Sequence, residues 1–150
     1  MTRLKPTTTL LLALAGTILV WLPLLTPLFF GLLSLFGGDG FRLDYLTPAE
    51  LFPLVLAGGL ALIWAAIRAR TQRKLIGWSF GFALVMPFVG QLLASATGLA
   101  SGETEPTGWP WALVLASLGS YAFAVALMGV GGLRLLRDLF RPAPLPEELP

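Results

Sequence analysis

Four long uncharged runs set the pattern of this chain. They cover Pro6 to Gly38, Leu51 to Ile67, Leu75 to Gly102 and Pro106 to Leu133, with the charged residues gathered in the stretches around them. A helix needs about 17–25 apolar residues to cross a hydrocarbon core of about 30 Å. Each run is long enough to cross once, and none comfortably holds two crossings with a turn between. Backbone groups in lipid must be satisfied within the crossing segment, so each crossing is helical. The pattern predicts an all-α fold, an integral membrane four-helix transmembrane bundle. Its spans cover about 7–36, 49–69, 74–98 and 109–135, within one domain of 1–141 followed by a proline-rich tail, 142–150.

The polar stretches orient the bundle. Arg3 and Lys5 precede the first span, Arg68, Arg70, Arg73 and Lys74 separate the second and third, and Arg134, Arg137 and Arg141 follow the fourth. In a chain that crosses four times, all of these fall on one side, and Arg42 alone falls on the other. Positive loops stay in the cytoplasm. The chain is therefore expected in the cell (plasma or inner) membrane, with both termini cytoplasmic. A cleaved leader ending near Ala13-Leu14-Ala15 is a weaker reading. Its apolar stretch is shorter than the usual 7–15 residues or so, and cleavage would turn the central basic cluster outward.

Within the spans, prolines and small residues carry the detail. Pro23 and Pro27 sit in the first span and Pro87 in the third. Each removes a backbone hydrogen bond and crowds the preceding turn, so the first and third helices are expected to be kinked. Thr47-Pro48-Ala49-Glu50 has the capping chemistry of a helix start. The short basic connection makes spans two and three an antiparallel hairpin, with Trp64 and Trp78 as interfacial flanks. Gly77 and Gly81 form a small-xxx-small pair, a weak signal of close helix approach. In the fourth span Ala112, Ala116, Ser120 and Ala124 repeat every four residues, beside Gly119, Ala122, Ala126 and Gly129. That smooth face is expected to pack on another helix, in this chain or in a partner.

Composition agrees with the pattern. Hydrophobic residues make up 56% and charged residues 12%, against about 25% charged in a soluble domain. The formal charge of +2 does not point to nucleic acid, because the cations are already explained by orientation. The sequence has no cysteine and no histidine. Thiolate metal sites and iron–sulfur clusters are thereby excluded, and the commonest general base is missing. No metal site, cofactor or catalytic residue is expected.

Candidate chemistry reduces to a few polar groups. No Asp, Glu, Lys, Arg or His lies inside the four uncharged runs, and such groups mark proton relays and ion paths. Gln91, Ser117 and Tyr121 fall at comparable depths in spans three and four. They form the candidate ligand-binding set, for a quinone, lipid or pigment. The plainer reading is interhelical glue, worth about 0.6 kcal/mol on average. The acidic residues Asp39, Asp44 and Glu50 match no calcium loop. The function expected is a non-catalytic multi-pass membrane subunit or accessory protein of a larger membrane complex. Its partners are the lipid bilayer and other membrane subunits. The alternative is a small transporter or a lipid- or quinone-binding protein acting as a homo-oligomer.

Overall fold

The computed structural model describes residues 6–37 and 51–140. Four helices follow in order: α1 (Pro6–Gly37), α2 (Phe52–Ala69), α3 (Arg73–Ala96) and α4 (Gly108–Phe140). No strand occurs among the described residues. Each helix is long and apolar enough to cross a membrane. α4 runs beyond the predicted span, to Phe140, and so carries Arg137 and Asp138 on helix as well as Arg134. The predicted cap at Thr47 lies outside the described residues. Within them α2 starts at Phe52, with no side-chain cap at Leu51 and a proline in the first turn.

Helical backbone continues through Pro23 and Pro27 in α1 and through Pro87 in α3. Beside Pro27, Thr26 Oγ donates to the Leu22 carbonyl at 2.7 Å. This is the back-bond that lets a polar side chain sit in an apolar helix and that often bends it. Between α2 and α3 the chain reverses over Arg70, Thr71 and Gln72. Arg70 and Gln72 take left-handed backbone, with φ of 58° and 57°. At the other end, Gly98 takes φ of 73° just past the cap of α3. The amides of Glu103 and Thr104 return to its carbonyl, and Thr104 Oγ donates to the Thr97 carbonyl at 2.7 Å.

Contacts along the helices fix their directions. Gly16 faces Gly58 and Leu62, while Arg68 donates to Thr8 Oγ1 at 3.4 Å, so α1 and α2 run antiparallel. Trp21 lies on Gly129 and Thr17 on Gly132, which makes α1 and α4 antiparallel as well. Ser117 opposite Gly90 and Gly131 opposite Ile76 give the same relation for α3 and α4. Packing is heaviest between α3 and α4 and between α1 and α2, α1 joins the two pairs through α4, and α2 touches α3 and α4 more lightly. Thr71 Oγ1 donates to Asp138 at 3.1 Å, tying the α2–α3 turn to the end of α4. The start of α1, that turn and the end of α4 therefore share one end of the bundle. It holds Arg68, Arg70, Arg73, Lys74, Arg134 and Arg137, and is called the basic end below.

Most of the core lies in the half of the bundle nearest this end, with Val55 of α2 and Pro23 of α1 buried beyond it. Leu62, Ile76, Met128 and Leu135 are wholly buried, with Ala13, Val20, Ala65, Ala66, Ala83, Ala124 and Val125 around them. Glycines let the backbones meet there. A Cβ on Gly16 would lie 2.9 Å from the Gly58 carbonyl oxygen, and one on Gly132 2.5 Å from Thr17 Oγ1. A Cβ on Gly59 would strike the Phe80 ring. The pair singled out in the sequence, Gly77 and Gly81, has open space around both positions. The close approaches belong to other glycines.

The far half is more open. In α3 beyond Ala83 no residue is buried, and in α4 before Ala124 only Ser117 is. Leu92 is 70% exposed and Phe123 65%. The bundle is closed at the basic end and loose at the other.

Candidate functional site

The polar residues predicted to share a site are separated by helix phase. Ser117 is buried in the α3–α4 contact, where the absence of a side chain at Gly90 makes room for it. Its hydroxyl donates to its own helix, at the Val114 carbonyl 2.7 Å away. Gln91 is the next residue along α3, about 100° further round the helix, and is exposed. It does not bond Ser117. Tyr121 is half-buried against Phe52, with ring centroids 6.4 Å apart at 44°. The structure therefore places Ser117 in a helix contact, Gln91 on the outside and Tyr121 at the edge of a cleft.

That cleft is the most site-like feature of the loose half. Its volume is about 580 Å³, between Pro23, Leu24 and Pro27 of α1 and the Leu115–Ala126 stretch of α4. Tyr121 supplies the one polar side chain in a wall otherwise made of Leu, Val, Phe, Pro, Ala and Gly. Such a wall holds an alkyl chain or an apolar helix. Apart from the Tyr121 phenol it has no titratable side chain, and no group of three or more carboxylate or imidazole ligands occurs among the described residues.

No protein-family model, no curated protein and no solved structure matches this chain. The reading of the site therefore rests on its own chemistry.

The smooth face of α4 divides at this point. Its lower part is used inside the chain: Ala124 is buried, and Gly129 receives the Trp21 indole. Its upper part is not. Ala112, Ala116, Gly119, Ser120 and Ala122 are all exposed, and a Cβ on Gly119 would meet nothing within 4 Å. Sequence reasoning found this face but not where it would be covered.

It also missed the Trp21–Gly129 contact. Trp21 Nε1 is buried there without a hydrogen-bond partner. A Gly-Val-Gly-Gly stretch at 129–132 was the available signal, since clustered small residues let a large ring approach a helix backbone.

A second apolar groove, of about 660 Å³, runs along the flank of α1 from Leu14 to Phe29 and ends against Leu133 and Leu136 of α4. The hydroxyls along it are spent on their own helix: Thr17 donates to the Ala13 carbonyl at 2.6 Å and Thr26 to that of Leu22.

Proposed function

We propose that this chain is a non-catalytic, multi-pass subunit or accessory protein of a larger membrane complex. In this reading the four helices cross the cell or inner membrane, α1 and α3 bend at their prolines, and the basic end with both termini is cytoplasmic. The observation that carries the proposal is the exposed small-residue surface of α4 from Ala112 to Ala122, beside an open cleft. Helices associate in lipid through close packing and not through hydrophobic burial. Small residues make that packing possible only where another helix closes onto them, and here α1 stays across the cleft from Gly119 and Ala122, leaving nothing within 4 Å of a Cβ on Gly119. The bare spans support a structural role, because transport coupling and intramembrane catalysis draw on ionisable groups that these spans do not have.

The test places a photo-crosslinking amino acid at Gly119 or Ser120 and, as control, at Gly81. Gentle extraction should yield the protein with other polypeptides, and crosslinks to one of them should form from α4 only. A lone monomer that crosslinks to lipid alone from every position would end this proposal.

A second reading, a small-molecule carrier or quinone-binding protein acting as a homo-oligomer, is favoured by the cleft and its Tyr121. It no longer needs Gln91, so Gln91→Leu should leave ligand binding unchanged, whereas Tyr121→Leu should weaken it. Equal binding by wild type and Tyr121→Leu would remove this alternative.

A further inference from the structure

We infer that the α1 groove holds one acyl chain of an anionic phospholipid, whose phosphate is taken by Arg137 with help from Arg134. The inference rests on the membrane reading above but not on any protein partner. It starts from the groove's shape. From Leu14 to Phe29 the flank of α1 rises about 22 Å, more than the ~15 Å of one leaflet's hydrocarbon. A whole chain fits along it. Leu14, Ile18, Leu22, Leu25 and Phe29 are each more than 40% exposed, and the two threonine hydroxyls are already satisfied. Trp21 also lines the groove, but its Nε1 is buried against Gly129 and does not face the opening, so the exposed surface suits an alkyl chain.

The groove has a charged mouth. It ends on Leu133 and Leu136 at the basic end. Arg137 stands four residues beyond Leu133, so it occupies the same helix face one turn further out. Arg134 is its neighbour, and both are exposed. Among the described residues no ion pair holds either one, and the nearest acid in sequence, Asp138, accepts the Thr71 hydroxyl. An apolar channel longer than one leaflet, with two guanidiniums free of ion pairs within a turn of its end, complements an anionic lipid in both charge and length. Guanidinium also suits phosphate, which it can grip with two parallel hydrogen bonds.

Other cations at the basic end are placed differently. Arg73 donates to the Ile67 carbonyl at 2.9 Å, and Arg68 lies over the Trp64 ring at 5.9 Å. They sit on α2 and α3, which give the groove no lining residue, whereas Arg137 and Arg134 sit on α4, which does. A specific site at Arg137 is thereby separable from a general attraction of the basic end for anionic membranes.

The experiment reconstitutes the full chain with equal amounts of phosphatidylglycerol and phosphatidylcholine of identical chains, and counts retained lipids by native mass spectrometry. Wild type should prefer phosphatidylglycerol. Arg137→Gln should reduce that preference about tenfold, the factor given by about 1.5 kcal/mol for a hydrogen bond to a charged group. Arg73→Gln, an equal loss of charge, should leave it nearly intact. Ile18→Trp, at an exposed position in the groove, should reduce retention of both lipids. No preference in wild type, or equal losses in Arg137→Gln and Arg73→Gln, overturns the site while leaving the membrane reading intact. Failure of the chain to enter vesicles at all overturns both.

Discussion

Gly16→Ala tests the closest approach in the closed half. A Cβ there would sit 2.9 Å from the Gly58 carbonyl oxygen, 2.9 Å from Leu62 Cγ and 3.1 Å from the Leu62 amide nitrogen. Two of these three atoms are backbone and cannot rotate away. The contact is reciprocal, since a Cβ on Gly58 would meet the Gly16 carbonyl oxygen at 3.0 Å. Carbon–oxygen contacts across helix interfaces settle near 3.3–3.6 Å or so, so α1 must retreat by about half an ångström. A gap of that order forfeits about a quarter of the dispersion well at each contact it opens. Overpacking of this kind costs about 1–3 kcal/mol, while replacing a helical glycine by alanine returns up to about 1 kcal/mol of propensity. Gly77→Ala separates the two effects, because it has the same propensity gain and nothing within 4 Å. The stability difference between the two variants should be about 1–3 kcal/mol. It is measured by equilibrium unfolding in mixed micelles, followed by far-ultraviolet circular dichroism. A difference below about 0.5 kcal/mol, within ordinary surface-substitution scatter, would refute the view that backbone contact between α1 and α2 closes the bundle.

Three further outcomes are expected. Trp21→Phe removes a buried indole N–H that has no partner. An unsatisfied donor costs about 1–3 kcal/mol, so the smaller ring should be tolerated with little loss of stability in the same unfolding assay, and a loss above 3 kcal/mol would show a hidden partner. Arg70→Gly relaxes a left-handed residue, a conformation that costs an L-residue about 1–2 kcal/mol. Stability should rise, with orientation unchanged because the other cations remain, and a fall would mean the Arg70 side chain holds the turn. Since the sequence has no cysteine, Thr71→Cys and Ser101→Cys each add a single label site. Membrane-impermeant maleimide applied to intact cells should reach residue 101 and not 71, and the reverse pattern would invert the topology.

The number of helices was legible because the signal for it is an exclusion. Charged groups stay out of hydrocarbon, so Arg68 to Lys74 and the stretch around Glu103 and Glu105 mark reversals of the chain without any knowledge of packing. Rotation about each helix left no such mark. In a soluble bundle the buried stripe is apolar and the other face polar. Here Phe88 and Leu92 are as apolar as Leu62 and Met128, yet the first two are exposed and the last two wholly buried. Depth along the chain therefore placed Gln91 and Ser117 level with one another, and nothing in the sequence showed that they point in different directions. Small residues are the remaining clue to phase, and they are ambiguous alone. Gly16 and Gly58 touch, whereas Gly77 and Gly81, at the spacing usually associated with contact, face open space.

The same ambiguity explains why α4 matters most. Along one helix, Gly129, Gly131 and Gly132 receive Trp21, Ile76 and Thr17, and a few turns away Gly119 receives nothing. The residue type is the same and the surroundings differ only in whether the chain supplies a neighbour. Where it does, the core is complete, with Leu62, Ile76, Met128 and Leu135 inaccessible. Where it does not, the surface keeps the shape of a helix contact without the helix. Lipid tails are as apolar as leucine, so apolar residues of any size would satisfy a lipid-facing wall. Small residues at Ala112, Ala116, Gly119, Ser120 and Ala122, among the exposed Leu113 and Leu115, are a stronger constraint than lipid imposes, and that difference is why we propose a protein neighbour there.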